Sequence, residues 1–124
     1  MSQKNLLIVE DDTFLAQAYA MAFEGSEVVV SIAKDGVEAL EKMRQVHPDA
    51  IVLDLLLPKL DGFGVLVEMK KDDKLASIPV LIASNLGQQS DIDRGKTLGA
   101  VDYIVKSSTS MGDVTTKVKK ILGL

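Results

Sequence analysis

The sequence lacks cysteine, an excess of basic residues and any long apolar run. Without cysteine, disulfide bonds, thiolate chemistry and cysteine-ligated zinc are excluded. The formal net charge of −4 argues against a basic face that binds nucleic acid directly. No apolar run approaches the length of a membrane-spanning helix. We therefore expect a cytoplasmic domain that binds neither nucleic acid nor a membrane.

What the sequence does contain is an ordinary globular composition over 124 residues, with 47% hydrophobic and 26% charged residues. This length suits one domain that buries its own core. No repeat, low-complexity tract or interdomain linker interrupts the chain. The composition therefore predicts a single domain over residues 1–124.

One apolar stretch, residues 50–58, contains a single carboxylate, Asp54. Such a run is typical of a central parallel strand that is buried on both faces. An ionised aspartate without partners would be costly there. The cost is avoided if Asp54 lies at the carboxyl end of the strand, where the chain enters a polar crevice. Pro58 and the Asp61-Gly62 pair then supply the loop that ends the strand.

Four further apolar segments predict strands, and helical patterns alternate with them. These strands cover residues 6–9, 28–32, 78–84 and 101–105, and the helices cover 13–23, 37–46, 63–71, 88–98 and 111–122. The alternation indicates a parallel α/β sheet with right-handed crossovers and helices on both faces.

Two helices carry features that bear on packing. In the first helix, Phe14, Ala18, Met21 and Ala22 are predicted to share a face. Gly95 weakens the fourth helix, and it is interpreted either as the mark of a mobile element or as a tolerated surface glycine.

Polar side chains follow the predicted strands at the points where they end. In an open parallel sheet these ends meet at one edge, and ligands bind in the crevice beyond them. The side chains delivered there are Glu10, Asp11, Asp12, Asp54, Ser84, Asn85 and Lys106. Clustered carboxylates call for a cation, and hard oxygen ligands suit Mg²⁺. Because a hydroxyl and an ammonium complement phosphoryl oxygens, the set predicts phosphoryl transfer to an aspartate.

Each of these residues has a simpler interpretation when it is taken alone. Three successive acids are typical of a solvated helix start, a loop serine bonds nearby backbone, and a lysine is most often a surface charge. Asp54 is harder to explain in this way, because an acid amid so much apolar sequence invites a functional interpretation. The prediction therefore depends on the convergence of all these side chains on one edge.

Five motifs occur in order along the chain. They are residues 7–12 (LIVEDD), 52–58 (VLDLLLP), 61–62 (DG), 80–84 (VLIAS) and 99–106 (GAVDYIVK). This ordered set resembles the response-regulator receiver domains of two-component signalling and is similar to the single-domain chemotaxis regulators. The resemblance covers the whole chain and implies a flavodoxin-like, doubly wound sheet of order 2-1-3-4-5. It also implies a signalling switch that catalyses only its own phosphorylation and dephosphorylation.

The resemblance implies an acceptor and a metal site. Asp54 would accept a phosphoryl group from the phosphohistidine of a sensor histidine kinase or a histidine phosphotransfer protein. Asp11, Asp54 and the backbone carbonyl of Leu56 would hold Mg²⁺, and Glu10 would act through a metal-bound water.

The resemblance also implies a switch and an output face. Ser84 would bond a phosphoryl oxygen and move toward it, and Lys106 would pair with the phosphoryl group or, beforehand, with Asp54. Tyr103 would be the switch aromatic that turns inward; a strand aromatic with its phenol at the rim is the alternative. A downstream protein would bind the fourth helix, fifth strand and fifth helix.

Three positions depart from the family pattern. Ser107 replaces a proline that usually follows the lysine through a cis bond. Because a cis bond without proline costs about 3–4 kcal/mol, we predict either a trans bond with an altered loop or a strained cis bond. Leu56 and Leu86 offer no hydrogen bond along the path of the attacking water, which predicts slow self-dephosphorylation. Ser84 replaces the commoner threonine, which keeps the hydroxyl but frees its rotamer.

Other classes of protein fit the sequence less well. An aspartyl-phosphate phosphohydrolase of the haloacid-dehalogenase kind needs a second acid two residues after the nucleophile, where Leu56 stands. A flavodoxin-like flavin binder needs a phosphate loop rich in Ser, Thr and Gly after the first strand, where acids stand. A degenerate receiver that signals without phosphorylation is a further alternative. A piece of a longer regulator would give the same pattern as a stand-alone domain.

Overall fold

The computed structural model describes residues 3–124 and contains one sheet of five parallel strands. The strands are β1 (Lys4–Val9), β2 (Val28–Ala33), β3 (Ala50–Leu53), β4 (Val80–Ser84) and β5 (Asp102–Val105). The helices are α1 (Thr13–Ala22), α2 (Gly36–Val46), α3 (Gly62–Lys71), α4 (Gln89–Thr97) and α5 (Met111–Ile121), and a short 3₁₀ helix (Lys106–Ser108) follows β5. The strand order is β2-β1-β3-β4-β5, which confirms the predicted fold.

The three central strands lie inside the molecule. Every residue of β3 and β4 is buried, as the unbroken apolar runs predict. Strand order reverses between β1 and β3, so the crevice at a topological switch point lies beyond the carboxyl ends of these two strands. Glu10 and Asp54 are the residues that directly follow them.

Alternate residues of each strand point to opposite faces, and each face has its own core. Helices α2 and α3 cover one face, with buried side chains Leu40, Met43, Phe63, Leu66 and Met69. Helices α1 and α5 cover the other, with buried side chains Tyr19, Phe23, Val114, Val118 and Leu122. Among the helices within residues 3–124, none is long and apolar enough to cross a bilayer.

The predicted face of α1 is wrong. Phe14 is 89% exposed and Met21 is 66% exposed, whereas Ala16, Tyr19 and Phe23 are buried. The buried residues are three and four positions apart, as in the predicted set, so the predicted helical period is right. The prediction placed the wrong face of the helix against the sheet. Burial of the two aromatic rings against the sheet decides the phase, because they remove the largest apolar area from water.

The interpretation of Gly95 as a surface glycine is also wrong. Gly95 is buried, at the point where α4 contacts β4 and β5. A Cβ atom at this position would lie 2.5 Å from Ile82 Cδ1 and 3.3 Å from Tyr103 Cδ2. The absence of a side chain therefore lets the helix approach the sheet closely.

Candidate functional site

Three acids meet at the carboxyl edge of the sheet. Glu10 and Asp11 follow β1, Asp54 follows β3, and one carboxylate oxygen of each lies within 4.8 Å of the other two. Glu10 and Asp54 are buried, with 2% and 6% of their surface exposed, while Asp11 is exposed. This all-oxygen set with one solvent-facing member has the donor chemistry that a hard divalent cation requires.

Lys106 connects two of these carboxylates. Its Nζ atom donates to Asp54 Oδ2 at 2.8 Å and also to Glu10 Oε1. Burial alone would lower the pKa of Lys106, but the bonds to Asp54 and Glu10 outweigh it, so the pKa is raised. The site therefore holds a charged ammonium group directly beside Asp54.

Burial also affects the protonation of Glu10, the second partner of Lys106. Burial raises the pKa of Glu10, and the bonds from Lys106 and from the N–H of Asp12 offset that rise only in part. The direct Glu10–Lys106 pair was missing from the sequence predictions. Because 96 positions separate the two residues, no local pattern reveals the contact.

The β3–α3 loop, residues 54–61, is packed against the starts of two helices. A Cβ atom on Gly62 would lie 2.4 Å from the carbonyl oxygen of Asp54, and one on Gly36 would lie 2.0 Å from that of Leu60. The loop is also bonded internally, since Leu56 N donates to Asp54 Oδ1 at 3.2 Å. Contacts of this kind with backbone atoms fix the loop, because a neighbouring backbone moves less easily than a side chain.

The β4–α4 loop, residues 85–88, is held by side-chain bonds. Ser84 is fully buried, and its Oγ accepts from Leu86 N at 3.3 Å. The Tyr103 hydroxyl donates to the Leu86 carbonyl, and its ring packs on the core. Asn85 Oδ1 accepts from Ser107 N at 3.0 Å. Tyr103 thus lies partly inside, with its hydroxyl engaged by this loop.

A cavity of about 480 Å³ opens between the two loops. Its walls include Asp11, Leu56 and Leu86, so the two leucines present apolar surface to the same space as an exposed acid. The Arg94 guanidinium, which also lines the cavity, lies 4.1 Å from the centroid of the Phe63 ring. This cation–π contact was not predicted, and it links α4 to α3 across the cavity.

The Lys106–Ser107 peptide bond is trans, which is the first of the two geometries that we predict for it. The chain then turns immediately into the 3₁₀ helix. Ser107 keeps an amide N–H at this position, which a proline would lack.

Fold and site together define a doubly wound α/β domain with acids and a bridging lysine at its topological switch point. The profile of the family described as "Response regulator receiver domain" matches residues 6–119, and the chain belongs to this family. Receiver domains are signalling switches of two-component systems rather than conventional enzymes, and they act with histidine kinases and downstream effectors. The predicted resemblance is confirmed.

Individual relatives agree with this assignment. The DNA-binding dual master transcriptional regulator RpaA of Synechocystis sp. is 39% identical over 101 residues, which are 82% of this chain and 42% of that protein. The receiver domain of the Francisella response regulator 1452 is 29% identical with a TM-score of 0.90, over 98% of each chain. A response regulator structure from Chloroflexus aurantiacus is 30% identical with a TM-score of 0.89, over 99% of this chain and 100% of that chain. The chain thus spans less than half the length of RpaA.

Proposed function

We propose that the chain is a phosphorylation-controlled switch and that Asp54 is its phosphoryl acceptor. The donor is the phosphohistidine of a sensor histidine kinase or a histidine phosphotransfer protein. The observation that supports this role is the position of Asp54, which is buried at a strand end with an ammonium group 2.8 Å from its Oδ2. Glu10 is the other buried acid in the described part of the chain and shares the contact with Lys106. The match of residues 52–58 to the family motif selects Asp54 rather than Glu10 as the acceptor.

The group transfer needs only one new bond. A carboxylate oxygen of Asp54 attacks phosphorus, and the O–P bond forms as the P–N bond to the donor imidazole breaks. The electron pair of the P–N bond stays on that ring nitrogen. The other ring nitrogen carries a proton throughout, so the leaving group is a neutral imidazole. Lys106 offsets negative charge on the transferred group, because its ammonium already lies beside the acceptor oxygen.

The acids around Asp54 fit a magnesium site. Glu10, Asp11 and Asp54 are three carboxylates, and with the Lys106 ammonium the net charge of the group is −2, which a divalent cation would neutralise. Asp11, Asp54 and the carbonyl of Leu56 would hold the ion, with Glu10 acting through water. When bound, Mg²⁺ would reduce the charge on the carboxylates and the phosphoryl oxygens.

The switch would start at Ser84. Its hydroxyl now accepts from Leu86 N, so turning it toward a phosphoryl oxygen would release one of the bonds that hold the β4–α4 loop. The same loop bonds the Tyr103 hydroxyl, and Tyr103 contacts Gly95 in α4. The signal would therefore reach a downstream protein through the face formed by α4, β5 and α5.

The decisive experiment is intact mass after incubation with Mg²⁺ and a small acyl phosphate. The parent protein should gain one phosphoryl group, and Asp54→Asn should gain none. Removing Mg²⁺ with a chelator should suppress the gain in the parent. A folded parent that binds Mg²⁺ but gains no phosphoryl group would contradict the proposal and indicate a receiver that signals without phosphorylation.

A further inference from the structure

Beyond the ladder between β4 and β5, one bond joins the turn after β5 to the loop after β4. The last paired residues are Ser84 and Val105, after which the chain leaves the sheet on both strands. The next bond between the two segments is that of Ser107 N to Asn85 Oδ1, at 3.0 Å. A side-chain amide oxygen therefore replaces the backbone carbonyl that a longer strand would have supplied.

The two partners directly follow the two side chains that would contact a phosphoryl group. Asn85 follows Ser84, and Ser107 follows Lys106. The other bonds of the turn after β5 are local: Thr109 N donates to the Lys106 carbonyl at 3.3 Å, and Thr109 Oγ1 and Ser108 Oγ donate to that of Val105 at 2.9 Å and 3.3 Å. The Asn85 bond differs because it ties this turn to the β4–α4 loop.

The bond depends on the residue after Lys106. The donor is a backbone N–H, which proline does not have. Ser107 therefore provides, through its trans peptide bond, a contact that a proline at this position would eliminate. The Ser107 hydroxyl takes no part in it, so the amide and the side chain can be tested separately.

We propose that Asn85 is a positioning residue for Lys106, acting through the Ser107 amide. The bond holds the start of the turn after β5 against the β4–α4 loop. In this position Lys106, the first residue of the turn, contacts both Asp54 Oδ2 and Glu10 Oε1. The bond also couples Ser84 to Lys106. A displacement of Ser84 moves the adjacent Asn85, and the bond transmits that movement to Ser107 and so to the adjacent Lys106. This inference rests on the proposed function and assigns Asn85 a role in it.

The test is a double-mutant cycle on the rate of phosphoryl gain from a small acyl phosphate in the presence of Mg²⁺. Asn85→Ala removes the acceptor, and Ser107→Pro removes the donor. Each should slow the gain about threefold to tenfold, the range that one hydrogen bond supports. The double variant should be no slower than the slower single variant, because both changes break the same bond.

Two controls separate positioning from general damage. Ser107→Ala keeps the amide hydrogen and should react at the parental rate. The affinity of Asn85→Ala for Mg²⁺ alone should match the parent, because the proposed ligands are unchanged. Its unfolding should stay cooperative, with a thermal midpoint lowered by no more than the loss of one hydrogen bond allows, because the core is unchanged. Hydrogen exchange at the Ser107 amide should be faster in Asn85→Ala, which reports the bond directly.

Each outcome has a distinct meaning. A parental rate in Asn85→Ala, or fully multiplicative effects in the double variant, would overturn the positioning role while leaving the phosphoryl acceptor intact. A slow Asn85→Ala whose Ser107 amide exchanges as in the parent would overturn it as well. A parent that never gains a phosphoryl group would instead remove the proposed function on which the inference depends.

Discussion

The two loops on either side of Asp54 are held in different ways. Backbone contacts at Gly36 and Gly62 fix the β3–α3 loop against the starts of α2 and α3. The β4–α4 loop is held by hydrogen bonds to three side chains, those of Ser84, Asn85 and Tyr103. Steric contacts between backbones allow almost no movement, whereas a side-chain bond is broken by one rotation.

This difference matches two tasks at one site. Under the proposed function, the loop that carries Leu56 would keep the acceptor and its metal ligands in place. The loop after Ser84 would take a second arrangement when the acceptor is modified, and a few individually weak bonds permit that. Substitutions that loosen one loop and leave the other unchanged test this difference.

The largest effect is expected where the β3–α3 loop meets α2. Gly36→Ala would place Cβ 2.0 Å from the Leu60 carbonyl oxygen, so loop or helix must shift. We expect the free energy of unfolding to fall by about 3 kcal/mol, measured by denaturant titration. Gly112→Ala is the matched control, since its Cβ would meet only Ser110 Oγ at 3.8 Å, and it should be neutral or slightly stabilising. Equal stability of the two variants would disprove the packing argument.

The next effect concerns the leucines, one in each loop, that line the cavity. Leu56→Asn or Leu86→Gln would offer a hydrogen bond to a water approaching Asp54, and the adduct should decay about tenfold faster. The decay is followed by intact mass after the donor is removed, with Leu56→Met and Leu86→Met as apolar controls that should match the parent. A parental adduct that decays as fast as the polar variants would contradict the prediction that the apolar walls slow its hydrolysis.

Loosening the β4–α4 loop should have a smaller effect. Tyr103→Phe removes the hydroxyl that donates to the Leu86 carbonyl but keeps the ring beside Gly95. We expect a loss of about 1 kcal/mol in the free energy of unfolding. Hydrogen exchange should become faster at residues 85–88 and stay unchanged at residues 56–60. Faster exchange in both loops would show that they are not held independently.

The smallest effect is expected at an ion pair outside both loops. Burial raises the pKa of Asp102, but bonds from Lys117 and from the Tyr103 N–H outweigh it, so the pKa is lowered. A lowered pKa stabilises the folded state above the unfolded value of about 3.9, and the contribution disappears as the pH falls through the folded value. Asp102→Asn should cost below about 1 kcal/mol at pH 7.

The pH dependence of that cost is the check. Unfolding titrations at about pH 7 and about pH 3 should show a smaller difference between parent and Asp102→Asn at the lower pH. Lys117→Met should behave in the same way, since it removes the other half of the pair. A cost that does not change with pH would exclude the ion pair as its source.

Local sequence predicted the strands and the edge where the site lies. Residues 50–53 and 80–84 are buried throughout, and a polar residue follows each strand, so the composition of short segments was sufficient. The period of α1 was also readable, but its phase depends on which rings the sheet covers, and Phe14 consequently lies in solvent. A pattern within one helix contains no information about the surface opposite it.

The contacts that assemble the site could not be predicted from the sequence patterns. Glu10 and Lys106 meet from the first and last strands, and Asn85 meets Ser107 across 22 positions. Only the strand order and register bring these atoms within bonding distance. The departure at Ser107 was visible in the sequence, whereas the partner of its amide was not.

The close approach of α4 to the sheet at Gly95 has a mechanical consequence. Because the helix contributes no side chain at this point, the gap between helix and sheet is set by Ile82 and the edge of the Tyr103 ring. Withdrawing the ring would leave a void that close-packed interiors do not keep. The helix would then settle toward the sheet as far as Ile82 allows, so the distance between α4 and the sheet depends on the side-chain conformations of Ile82 and Tyr103.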